Sequence, residues 1–406
     1  MRERGWPDTG PHRRRSRTAT VLLVLTGAAA FACAEPPPSP GGLGSGPSYR
    51  AQVSGISFEC TLPVTTVSRA ALLELPRGVV RVAASVQLPA SAATNLPAFQ
   101  RANPAYDARF ARWIAGVMPQ WIAPDGATYA QAGASPGAAG QPETSELDAV
   151  DVASGRRTRL WSGRGTATVL GFGPEGIYFS IRGPSQEVSE VWVAAADRSR
   201  PAHRVGPTAG RDPSQALPGF QLLGAGAAWA VAPPPFSPAS PGTWSGLPSL
   251  ILRMDLKTGV VTTYFGGRLG EELGLVGVDA QGEPIVTVLD ATLGPNAGYF
   301  DSLPQVLLIE GDGARVVVSR VHEFFVPSSM VADEHGIWFG GPGSVWLYTP
   351  ASGVQEVAKI PASALPLPAR TPVARAVPSD YPFAGPSGQA LLARLGPAVF
   401  IGGPCR

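Results

Sequence analysis

Lysine is almost missing from this chain: Lys257 and Lys359 are the only two among 32 basic residues. Histidine is scarce as well, with four in 406 residues, and cysteine scarcer, with three. These side chains hold most transition metals, so there is little here from which to build a metal centre, and no cofactor is expected. Strings that announce common chemistry are missing too. The chain has no His-Glu-x-x-His, no Cys-x-x-Cys and no phosphate-loop Gly-Lys-Ser/Thr. Gly42-Leu43-Gly44-Ser45-Gly46 superficially looks like a nucleotide loop, but no strand-like run precedes it. A basic footprint is also lacking. Six arginines and two acids lie ahead of residue 33, and setting them aside takes 32 basic and 30 acidic residues to 26 and 28. A slightly acidic remainder excludes nucleic acid as a partner, because phosphate recognition needs clustered cations.

No apolar run is long enough to span a bilayer comfortably, which takes about 20 residues. An uncharged stretch, Thr18 to Ala34, contains Val21-Leu22-Leu23-Val24-Leu25 and follows Arg13-Arg14-Arg15-Ser16-Arg17. A basic flank, a short apolar run and small residues at its end describe a secretory signal, with a permanent N-terminal anchor as the alternative. Ala30-Phe31-Ala32 before Cys33 resembles a bacterial lipoprotein processing site, which implies lipidation of Cys33; Ala32-Cys33-Ala34 serves ordinary signal peptidase equally. The expected organisation is a signal over 1–33, a Pro/Gly-rich tether over 34–54 and a folded domain over 55–406. An extracytoplasmic location follows from either processing route.

Glycine (49) and proline (43) are abundant, and between them lie β-branched and aromatic runs. This pattern marks many turns joining short strands. A strand–turn–strand unit recurs through the middle of the chain, with first turns ending at Gly126, Gly176, Gly226, Gly282 and Gly336, steps of 50, 50, 56 and 54 residues. Periods of this size with four short strands each predict the blades of a β-propeller. In one unit strand a covers Thr168 to Phe172, b Ile177 to Ile181, c Ser189 to Ala194 and d Ala202 to Val205. Tyr178, Trp229 and Trp338 recur early in strand b, and Trp192 and Trp346 in strand c; packing between blades explains them better than ligand stacking does.

Ala123-Pro124-Asp125-Gly126 before a β run and Met254-Asp255-Leu256-Lys257-Thr258-Gly259 in a hairpin resemble repeats of TolB-like and YVTN-type bacterial propellers. The resemblance covers roughly residues 114 to 360 and implies fold, not function. Residues 55–113 and 361–406 leave room for two further blades at this period. The expectation is an all-β, single β-propeller of four-stranded antiparallel blades, seven favoured over six, closed by the N- and C-terminal strands. Ring closure brings the chain ends together. With Cys33 lipidated or removed, Cys60 and Cys405 remain as a pair, and a disulfide between them is predicted, the alternative being two buried thiols.

Length in excess of the repeat falls between strands b and c: Gln131 to Glu146, Arg182 to Glu190, Val231 to Pro248 and Leu289 to Pro304. Those connections share one face of a propeller with the d–a connections, and inserts confined to one face suggest a binding face. Its candidate ligand residues are Arg182, Trp244, Arg268, Asp290, Tyr299, Asp301 and His322. No catalytic set is expected. The function this points to is a surface-tethered, monomeric propeller that binds a protein, peptide or glycan and meets the membrane only through an N-terminal lipid or anchor. The alternative is a secreted propeller enzyme, a lyase or hydrolase of a sugar or cyclic peptide.

Overall fold

The computed structural model describes residues 48–66, 69–83, 104–135, 144–183, 189–207, 219–232, 249–268, 271–290, 305–310, 313–318, 330–365 and 396–406. Turn chemistry builds the hairpins. In Leu250–Asp255 and Val261–Gly266, Asp255 Oδ1 accepts the Thr258 and Lys257 N–H groups at 2.9 and 3.1 Å and the Thr258 hydroxyl at 2.9 Å. Asp151 does the same work between Thr144–Asp151 and Arg157–Arg164, accepting the Ser154 N–H and hydroxyl. Each turn ends on a glycine at φ 71°, Gly155 or Gly259, where a side chain would be strained. These bonds favour the ionised forms. The Ser154 hydroxyl and then its N–H hold Asp151 below the usual carboxylate range, and the Thr258 N–H and then its hydroxyl do so for Asp255.

Among the described residues the strands assemble into six antiparallel blade sheets. Blade 3 is Thr166–Gly173, Gly176–Arg182, Ser189–Ala194 and His203–Gly206, in that order from inside outwards. Blade 4 is Phe220–Gly224, Ala227–Ala232, Leu250–Asp255 and Val261–Gly266. Blade 5 is Glu271–Val278, Pro284–Asp290, Gln305–Glu310 and Gly313–Val318. Blade 6 runs Met330–Asp333, Gly336–Gly341, Ser344–Thr349 and Gly353–Lys359. The hairpins follow the expected register closely. Blade 2 departs from it: Thr128–Ser135, Thr144–Asp151 and Arg157–Arg164 form its sheet, and its innermost position holds only the single bridge Ile122–Tyr129.

Strand b of each blade packs on both sides, which is why it reads as a continuous apolar run and not as an alternation. Tyr178, Trp229 and Trp338 are all buried, and each packs towards the next blade round the ring. Their neighbours Phe179 and Phe339 face the preceding blade. The recurring aromatics are therefore inter-blade packing.

Blade 1 closes the ring. Its innermost strand, Phe400–Ile401, comes from the C-terminal end of the sequence and pairs with Cys60–Thr65, which continues to Ala70–Leu75 and Val79–Val82. The Cys60–Cys405 disulfide is formed, with Cα atoms 5.5 Å apart across 345 residues of sequence. Part of the expected tether belongs to the ring: Ser48–Arg50 pairs with the outer edge of blade 1, and Gln52–Val53 with the outer edge of blade 6. Close approach behind blade 6 requires glycine at 340, where a Cβ would lie 1.9 Å from the Val399 carbonyl oxygen.

Between blades 1 and 2 stands a lone hairpin, Ala105–Asp107 with Arg112–Ile114. Tyr106 and Trp113 face blade 1, while Ala105 and Ile114 face blade 2. The described residues thus hold six blade sheets and this two-stranded wedge, where seven four-stranded blades were favoured over six. The strand expected over 389–395 lies outside the described residues. No helix among the described residues is long and apolar enough to cross a membrane.

Candidate functional site

The two ends of the ring differ. One end gathers the b–c connections, which run from Ser135 to Thr144, Arg182 to Ser189, Ala232 to Leu250 and Asp290 to Gln305 in blades 2 to 5. Most of their residues lie outside the described set, as do Trp244, Tyr299, Asp301 and His322. Arg182 ends strand b of blade 3 and is exposed, with its guanidinium beside Gly219 of the next blade. Arg268 is exposed at the entry to blade 5, and its N–H donates to Glu271 Oε2 at 2.8 Å. Asp290 sits opposite Glu271 in the strand register. The structure thus brings Arg268, Glu271 and Asp290 to one strand end and leaves Arg182 two blades away.

The other end carries the tight a–b turns and holds a cavity of about 300 Å³ on the ring axis. Every sector except blade 3 lines it. Leu222 and Leu223, Val276 and Val278, Met330 and Val331, and Phe400 and Ile401 form apolar walls, with Ile122 and Val117 from the approach to blade 2. Tyr106, Asp107, Gln120, Asp279 and Arg406 are its polar members. Asp107 is 2% exposed. Its Oδ1 accepts the Arg109 N–H at 3.0 Å, and its Oδ2 has no hydrogen-bond partner. Burial pushes this carboxyl above its ordinary range, against the opposing pull of the Arg109 and Phe110 N–H groups and the Arg406 charge. Burial, with the Asp107 charge adding to it, also raises Tyr106.

Sequence reasoning missed this end altogether. Asp107 and Arg406 are 299 positions apart with no shared pattern around them; the only local signal is an acid two residues before Arg109, the spacing of an Asx turn. One string was also passed over. Gly133-Ala134-Ser135-Pro136-Gly137 has the spacing of a nucleophile elbow, which needs a strand-to-helix turn. Ser135 ends one strand and is paired with Thr144 of the next antiparallel strand, while Pro136 and Gly137 lie outside the described residues. Among the described residues no three His, Cys, Asp or Glu side chains gather as metal ligands.

No known family's profile matches the chain, and no curated protein matches it. Solved structures do. The β-propeller domain of the Trilobed protease from Pyrococcus furiosus is 13% identical over 57% of this chain and 68% of that one, at a TM-score of 0.37. TolB from Acinetobacter baumannii is 12% identical over 76% of this chain and 65% of that one, at 0.35. Oligogalacturonate lyase from Vibrio parahaemolyticus is 9% identical over 79% of this chain and 99% of that one, at 0.41. Likeness this distant does not bear on activity. The chain is a β-propeller on the strength of its own six sheets and their closure through blade 1.

Proposed function

We propose that this chain is an extracytoplasmic, membrane-tethered β-propeller that binds a protein, peptide or glycan without transforming it. The observation that carries the reading is the placement of long connections. Four successive blades extend the same b–c link at one end of the ring, while the a–b turns at the other end stay short. A rigid ring presenting adaptable loops on one end is the usual architecture of a recognition surface. The Cys60–Cys405 disulfide supports an oxidising compartment, and Cys33 ahead of a Pro/Gly-rich segment supports a lipid tether.

The test is a peptide and glycan panel applied to the intact chain and to a variant in which residues 233–249 and 291–304 are replaced by short turns. Selective retention by the intact chain, lost in the variant while its thermal unfolding stays cooperative, is the expected result. Equal retention by both would refute the binding end. Release of cleaved or unsaturated products from panel members would establish the alternative, a propeller lyase or hydrolase.

A further inference from the structure

We propose that the axial cavity at the tight-turn end is a second site, taking a small uncharged aliphatic molecule such as a medium-chain alcohol. It lies at the opposite end from the long connections and does not depend on their role. The origin of its walls carries the inference. Val331, Val276, Leu223, Ile122 and the pair Leu222 and Val278 lie at the margins of five different inter-blade clusters. Each is only half-buried, and each lines the cavity. Packing between the blades thus stops short of the axis and leaves aliphatic surface open there. Single exposed apolar side chains are ordinary, but apolar surface gathered into one hollow marks a place where something binds. A hollow of about 150 Å³ with such a lining stays dry and takes up benzene. This one, at 300 Å³, sits at the lower bound of small-ligand pockets, about 300–1,000 Å³. That volume fits a short aliphatic chain and leaves no room for a helix.

The charged groups around the cavity favour no ion. They are two acids and one base, Asp107, Asp279 and Arg406. Both carboxylates already serve backbone N–H groups: Asp107 Oδ1 accepts that of Arg109 at 3.0 Å, and Asp279 Oδ1 those of Gln281 and Glu283 at 2.9 and 2.8 Å. Asp107 Oδ2 is buried out of a ligand's reach. Arg406 is exposed, where water screens its charge. A charged ligand would give up hydration here without gaining a dedicated partner, whereas an aliphatic chain gains by leaving water. Gln120, exposed and uncharged, can meet a hydroxyl at the opening.

Calorimetric titration of the full chain with butanol, hexanol and octanol tests this. Saturable binding is expected, tightening by about fourfold per added methylene while the chain still fits. Hexanoate and hexylamine should each bind at least about tenfold more weakly than hexanol, since neither charge finds a partner. Val276→Trp and Val331→Trp fill the hollow from two different blades and should abolish binding while unfolding stays cooperative. The chain-length series uses the unaltered protein, so it decides the matter even if both variants fail to fold. Absence of saturable binding by all three alcohols, equal affinity along the series, hexanoate or hexylamine matching hexanol, or wild-type affinity in a folded Trp variant would overturn the proposal.

Discussion

On one flank of blade 1, blade 6 is joined to it three times over. Phe400–Ile401 enters the inner edge, residues 48–53 run across both outer edges, and the disulfide lies behind. Asp333 adds a clip: its Oδ2 accepts the Cys405 N–H and the Trp338 Nε1–H, both at 2.8 Å, and its Oδ1 accepts the His335 N–H. Phe58 stacks on His335, with ring centroids 4.0 Å apart. The other flank has no disulfide among the described residues, and its ties are hydrogen bonds: the Tyr106 N–H donates to the Gly402 carbonyl at 2.8 Å, and Arg112 Nη1 donates to the Val152 and Ala153 carbonyls at 2.6 and 3.0 Å. There the hairpin is inserted, with Trp113 packed on Ala70 and Leu72 and against the backbone at Gly402. One junction is held by a covalent bond and strands shared across the blade edges, the other by an inserted aromatic side chain and a few hydrogen bonds. A ring has no free edge, so every gap in it must be closed, and this chain uses a covalent tie on one side and an inserted hairpin on the other.

Removing the wedge should cost most. Trp113 is 4% exposed, and Trp113→Ala should destabilise the ring by about 3–5 kcal/mol in urea unfolding. A loss under about 1 kcal/mol would mean that the hairpin only decorates the junction. Next comes the staple. Cys60→Ser with Cys405→Ser should cost about 2–4 kcal/mol, since the crosslink spans most of the chain; no change in midpoint would mean that the strands alone hold the closure. Asp333→Ala leaves three N–H donors without their acceptor and should cost about 2 kcal/mol. Combined with Cys405→Ser it should be non-additive, because both act on the same segment. Strict additivity would separate the clip from the staple.

The smallest effect belongs to Asp107, and its sign depends on pH. Its folded carboxyl titrates above the ordinary range because burial penalises the charge. Its stabilising contribution is therefore complete below the unfolded value and is lost as pH rises through the raised folded value. Asp107→Asn should melt above wild type near neutrality, with the gap closing as pH falls towards the ordinary carboxylate range. A gap that widened in acid would reverse the assignment.

What could be read from the residues was set by local chemistry. The hairpins of blades 3 to 6 were legible because Asp255-Thr258-Gly259 and similar turns declare themselves within a few residues. The disulfide was legible because a ring forces its ends together. Residues 48–53 were not, since their pairing comes from two distant edges and their composition reads as linker. The wedge was missed because three-residue strands carry too little alternation to register. The axial cavity was hidden for a deeper reason: its lining is contributed a residue or two at a time by almost every sector.

The bond between Cys60 and Cys405 also changes what a cut in the backbone can do. Together with the chain between them it makes a covalent circle, and every long connection lies on that circle. A protease that nicks one exposed loop opens the circle without dividing it. The product migrates as one molecule until a reductant is added and as two pieces afterwards, and its blades keep the neighbours they had. Such a chain can be scarred at a loop and still remain a ring.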